Sequence, residues 1–250
     1  MITTPIKTHK ITIADTDIFQ VLDTYITDIT EGSVLVVTSK VVSICEGRVA
    51  PAGTDKDELI ISEAEYYLPR QSNRYHMMVT ISNHILAAAS GIDASNVEEG
   101  FVLWPKSPQE SANKIREHIA RSLGLREFGV IITDSKTTPL RWGVTGIGLA
   151  HSGFSALNNY IGTEDLFGRK MKLTKVNVMD SLAASAVYAM GEGSEQTPLA
   201  VISDIPHIQF QDRNPLPEEL DALYLDLDND QYGQMLQAAP WKIGRKMVNS

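Results

Sequence analysis

The spacing of apolar residues changes along this chain, and each change marks an element. "DTDIFQVLDTYITDI" places Ile18, Leu22, Tyr25 and Ile26 on one helical face. "SVLVVTSKVVSI" is rich in Val and predicts one or two strands, and "FGVIITD" predicts a short buried strand. "MMVTI" and "FVLW" are weaker strand candidates. The clearest helix is "SPQESANKIREHIARSLG", with Ala112, Ile115, Ile119 and Leu123 in one stripe. Its start carries a Ser107–Glu110 capping box with Pro108 at the first helical position, and Gly124 ends it. A further helix, "VNVMDSLAASAVYAMGEG", is rich in small residues, which suits close approach by another backbone.

These elements mix without a regular βαβ rhythm, so the expected fold class is α+β with mixed sheets and helices. No repeat or linker divides the chain. The expected organisation is one domain over 1–205, with an acidic extension over 206–250 that includes "LPEELDALYLDLDNDQYGQ". The longest apolar stretch, "ILAAASGI", is too short to span a bilayer, and "MITTPIKTHK" is no signal peptide. One cysteine, Cys45, excludes an internal disulfide and fits the cytoplasm, and it reads as a small buried hydrophobe. A net charge of -9 argues against a nucleic-acid partner, because neutralising phosphates needs clustered Lys and Arg. No membrane partner is expected either.

Several signatures are absent. There is no P-loop, and "GVTGIGLAHSG" does not fit G-x-G-x-x-G; it reads instead as a strand or turn approached closely by a ligand or backbone. The histidines lack zinc spacing. "DLDNDQYG" begins like a calcium loop, but Gln231 and Gln237 stand where glycine and glutamate are needed, which leaves a solvated acidic turn. Hard-oxygen residues remain at element ends. Asp93 lies in "SGIDASN", Asp134 and Ser135 close "VIITDS", and Glu192 follows Gly191. Such oxygens suit Mg2+ or Mn2+, and such residues are also ordinary turn formers and caps. Spacing alone leaves both readings open.

The segments "VVTSKVVSICEGR", "SGIDASN", "TDSKTTPLRWGVTGIGLAHSG", "YIGTEDLFGRKMKLT" and "DSLAASAVYAMGE" occur in this order, and together they resemble the coenzyme F420-0:L-glutamate ligase family. The resemblance runs from about Thr8 to Asp204. It implies the family's α+β fold, an intertwined homodimer, and a γ-glutamyl ligase. GTP or ATP would phosphorylate a carboxylate of a small-molecule acceptor, and the amine of L-glutamate would displace phosphate, with two Mg2+ or Mn2+ ions assisting. Carried over by position, Asp93 and Asp134 correspond to ligands of one metal, and Ser135 and Glu192 to ligands of a second. Ser39 and Asn96 correspond to nucleotide contacts, and Met190, Gly191, Glu192 and Gly193 begin the loop that wraps the nucleotide. Arg141 in "PLRWG" and Arg169 in "LFGRK" are added as candidate catalytic contacts to phosphate or carboxylate, with structural ion pairs as the alternative.

The chain also departs from the family pattern. "IKTHKI" replaces a "GIPEI"-like opening, "DSKTTPLR" replaces "DSFGRPFR", and Ile44 stands where a lysine is typical. If residues 40–44 form a strand, Lys40 and Ile44 share a face, which makes Lys40 the candidate replacement cation. Because of these departures, a non-catalytic ligand-binding paralogue and a metal-dependent phosphohydrolase stand as alternatives to the ligase.

Overall fold

A computed structural model describes residues 1–97 and 99–248. The chain opens with β1 (Ile2–Ile6), α1 (Ile18–Tyr25) and β2 (Ser33–Thr38), which runs directly into α2 (Ser39–Cys45). Then come β3 (Val49–Ala50), α3 (Lys56–Glu63), β4 (Tyr66–Leu68), β5 (Val79–Ser82), β6 (Ile85–Ala88) and β7 (Phe101–Val102). Helix α4 (Pro108–Leu123) leads to the hairpin of β8 (Phe128–Thr137) and β9 (Val144–Ser152). Strands β10 (Leu157–Asn159) and β11 (Lys175–Asn177) precede α5 (Val178–Met190) and β12 (Leu199–Ser203). The C-terminal stretch adds α6 (Pro217–Asp221), α7 (Gly233–Gln237) and β13 (Lys242–Ile243). The architecture is α+β, as expected. Among the described residues no helix is long and apolar enough to cross a membrane.

The central sheet has the order β1-β12-β2-β8-β9, with β2 and β8 parallel and the other pairs antiparallel. It is covered on both faces, which explains the unbroken apolar runs. Leu35, Val37, Val130 and Ile132 face the side where α4 packs Ile115 and Ile119. Val34, Val36 and Ile131 face Met179, Leu182, Ala183 and Ala186 of α5. The small residues of α5 serve close packing. A Cβ on Gly146 of β9 would lie 2.4 Å from the Ala183 carbonyl oxygen, and one on Gly148 would meet Met179 at 2.6 Å. The glycine-rich run is therefore a strand pressed against a helix.

Three details differ from the sequence reading. "SVLVVTSKVVSI" is a strand followed by a helix: β2 ends at Thr38, and Val41, Val42, Ile44 and Cys45 are buried on α2. Packing against α1 overrides the β preference of valine there, with Val21, Val41 and Cys45 in one cluster. Ser107 makes no side-chain cap to α4, and Glu110 instead pairs with Lys114 at 2.7 Å, so no capping box forms. Pro108 and Gly124 (φ 71°) bound α4 as expected. "FVLW" is strand only over Phe101–Val102. Helix α1 is shorter than the quoted segment, ending at Tyr25 with Ile26 as its cap, and Asp17 at its start accepts a hydrogen bond from the Phe19 amide at 2.9 Å.

A smaller sheet, β13-β4-β5-β6, lies beside this core. The C-terminal stretch connects the two. Ile205, Ile208, Phe210 and Leu223 pack on the α5 side of the core. Tyr224 stacks on His84 of the β5–β6 turn with centroids 4.6 Å apart, and β13 adds an antiparallel edge strand to β4. The acidic turn is self-contained: Asp230 accepts from the Tyr232 amide at 2.7 Å and Asp228 from Gln237 at 2.7 Å.

Candidate active site

Strands β2 and β8 run in register to Thr38 and Thr133, so both deliver the chain to the same end of the sheet. Beyond Thr38 the chain turns into α2, and Asp134 and Ser135 follow Thr133 past an irregularity in the β8–β9 pairing. The C-terminus of α5 reaches the same end with Met190, Gly191, Glu192 and Gly193. A cavity of about 580 Å³ opens there.

Asp93, Asn96, Asp134, Ser135, Met190, Gly191, Glu192 and Gly193 all line this cavity. Segments far apart in sequence are tied across it. Ser135 Oγ donates to Glu192 Oε2 at 3.3 Å, and Asn96 Nδ2 donates to the Gly193 carbonyl at 3.1 Å. Ser39 is not on the wall; it is buried in the first turn of α2, and its neighbours Thr38 and Lys40 line the cavity. Arg141 and Arg169 are exposed on hairpin loops away from the cavity. Arg169 is held there by its backbone, its amide donating to Asp165 Oδ1 at 2.9 Å.

The glycine of "SGIDASN" has a specific function. Ala89, Ser90 and Gly91 all adopt left-handed backbone (φ 53°, 51° and 71°), which turns the chain sharply after β6. The Ser90 amide donates to Thr80 Oγ1 at 2.9 Å and fixes the turn. A Cβ on Gly91 would lie 2.1 Å from the indole of Trp104. That buried indole donates its Nε1–H to Asp134 Oδ2. The turn carrying Asp93 therefore seats the ring that positions Asp134. Trp104 was not among the predicted site residues. Its signal was a tryptophan in an apolar run, whose indole N–H needs a partner once buried.

The two aspartates have opposite electrostatics. Burial alone would raise Asp93, but Lys40 Nζ at 2.8 Å, the Ser95 hydroxyl and the Ser95 amide at 2.9 Å hold its carboxyl down at about 2. Burial dominates at Asp134 and pushes it up to about 6 despite the Trp104 and Ser135 hydrogen bonds, with the charge of Asp93 adding to the rise. Among the described residues no group of three or more His, Cys, Asp or Glu side chains is gathered to hold a metal. Asp93, Asp134, Ser135 and Glu192 nevertheless form an all-oxygen donor set around one space, and in donor chemistry they fit a hard divalent cation. Cys45 takes no part: burial pushes its thiol up to about 12.

A model of the family described as F420-0:Gamma-glutamyl ligase matches residues 2–204. The coenzyme F420:L-glutamate ligase of Methanocaldococcus jannaschii is 37% identical over 194 residues, covering 70% of this chain and 76% of the relative. The ligase of the same name from Archaeoglobus fulgidus is 36% identical over 191 residues, covering 69% and 75%. One from Methanococcus maripaludis strain C7 is 41% identical over 138 residues, 55% of each chain. With most of its length matched, this chain belongs to the F420-0:gamma-glutamyl ligase family and is an amino-acid ligase.

Proposed function

We propose that this enzyme joins L-glutamate in amide linkage to a carboxylate of an F420-0-type deazaflavin acceptor, driven by GTP or ATP. The carrying observation is the single cavity that gathers Asp93, Asp134, Ser135, Glu192 and Asn96 from distant parts of the chain. In this reading an acceptor carboxylate oxygen attacks the γ-phosphorus and the nucleoside diphosphate leaves. The glutamate amine then attacks the acyl carbon, and inorganic phosphate leaves with the former carboxylate oxygen. Asp93, Asp134, Ser135 and Glu192 would hold Mg2+ or Mn2+, and bound divalent ions neutralise charge developing on the phosphates. Asn96, tied to the Gly193 carbonyl, orients the α5 loop around the nucleotide. Trp104 fixes the Asp134 carboxylate from behind. The buried, unpaired Cys45 suits a reducing cytoplasm.

The same reading includes a homodimer. Leu140 and Trp142 on the β8–β9 loop, and Leu166 and Phe167 between β10 and β11, are at least 82% exposed. Bulky apolar groups exposed to this degree on two arms suit an association surface. Arg141 and Arg169 ride on these two arms, so their proposed contacts to anionic substrate depend on where a second copy places them.

Calorimetric titration with GTP and with ATP in the presence of Mn2+, on wild type, Asp93→Asn and Asp134→Asn, tests the site. The expected result is nucleotide binding that weakens at least about tenfold in either variant, the scale of one lost charge-assisted contact. Phosphate release by wild type should require both acceptor and glutamate. Release without either would favour the phosphohydrolase alternative.

A further inference from the structure

Four carboxylates, Asp93, Asp134, Glu192 and Glu195, line the cavity, against two lysines, Lys10 and Lys40. A polyphosphate entering such a space meets net negative charge, so each cation there matters. Lys40 lies on the first turn of α2, one helical turn before Ile44, and both residues face the cavity. Its ammonium makes three contacts: Asp93 Oδ2 at 2.8 Å, the Ser95 carbonyl at 2.9 Å and Ser95 Oγ at 3.0 Å. The pair is partly shielded, with the Lys40 side chain 24% exposed. Lys40 therefore satisfies the carboxylate that a divalent cation would need.

We propose that Lys40 has two alternative partners: Asp93 in the free enzyme, and a phosphate of the bound nucleotide once Asp93 holds a divalent cation. The inference rests on the metal–nucleotide reading of the cavity. An ammonium and a dication cannot share one carboxylate oxygen without strong repulsion. The flexible stem of lysine lets its head change partner while α2 stays in place. Lys40 thus opposes divalent binding in the free protein and supports nucleotide binding in the loaded one. In this way an i, i+4 neighbour supplies the cation that Ile44 does not.

The test compares wild type with Lys40→Met. Free Mn2+ is titrated without nucleotide and read by electron paramagnetic resonance, and GTP affinity in saturating Mn2+ is read by calorimetry. Lys40→Met should bind Mn2+ several-fold to about tenfold more tightly and GTP about tenfold more weakly, the scale of one charge-assisted hydrogen bond. A merely structural lysine, holding the Asp93–Ser95 turn, would weaken both when removed, and that result overturns the proposal. Unchanged Mn2+ affinity or unchanged GTP affinity overturns it as well. If wild type binds neither Mn2+ nor GTP, the reading of the cavity itself fails and takes the proposal with it.

Should Lys40→Met fail to fold, wild type gives the same answer through acylation of Lys40 mapped by mass spectrometry. Labelling should rise several-fold on adding Mn2+ and fall again on adding Mn2+ with GTP. Labelling indifferent to Mn2+ overturns the proposal.

Discussion

Gly91 and Trp104 should be energetically coupled, and the coupling links the two halves of the site. Gly91→Ala adds a Cβ that would sit 2.1 Å from the indole Cε2 and Nε1, in a residue whose φ is +71°. The left-handed backbone costs a non-glycine residue about 1–2 kcal/mol. Displacing a packed indole adds about 1–3 kcal/mol of overpacking. Trp104→Phe removes the donor to Asp134, which costs about 1.5–3 kcal/mol for a hydrogen bond to a charged group. It also replaces the two-ring indole with a smaller ring that can shift away from the new methyl. In the double variant the backbone strain and the lost hydrogen bond remain, while the overpacking disappears. The double variant should therefore be about 1–3 kcal/mol more stable than the sum of the single effects, measured by urea denaturation of all four proteins. Strict additivity would refute the contact between the Asp93 turn and the ring that holds Asp134.

His151 is buried beside Phe154, and desolvation lowers its pKa to about 4, so it folds neutral while the unfolded chain titrates near 6.5. Its contribution is complete above pH 6.5 and is lost as pH falls toward 4, by about 3 kcal/mol at most. His151→Leu should flatten the stability profile in that window, and an unchanged slope would exclude His151 as its source. Gly146→Ala puts a methyl 2.4 Å from the Ala183 carbonyl oxygen. It should lower stability by about 1–3 kcal/mol and weaken nucleotide binding through α5; full nucleotide affinity in a destabilised protein would disprove that link. Tyr224→Ala removes the stack on His84, worth about 0.5–1.5 kcal/mol beyond burial. Hydrogen exchange should quicken in β5 and β6 while β2 and β8 stay protected, and uniform quickening would show that the C-terminal stretch does not act locally.

The sequence by itself determined much of this protein. The periodicity of "SPQESANKIREHIARSLG" specified α4, and the valine-rich run from Ser33 predicted strand β2 but not the helix α2 that follows it. The order of five short segments identified the family, and the resemblance named Asp93, Asn96, Asp134, Ser135 and Glu192 as candidates, which the fold brings to one cavity. It failed where local preference and packing conflict. Val41 and Val42 prefer a strand, yet α1 and the sheet end bury them as a helix. Ser107 and Glu110 have the capping-box spacing, but Glu110 is drawn to Lys114 instead. What only the tertiary structure decided is which distant side chains meet. Lys40 is 53 residues from Asp93, Trp104 is 30 from Asp134, and Asn96 is 97 from Gly193. No local pattern encodes these pairs, because they are imposed by a parallel β2–β8 end and the α5 terminus converging on one cavity. The chemistry of each side chain is written in the sequence; its partner depends on where the fold brings the chain back.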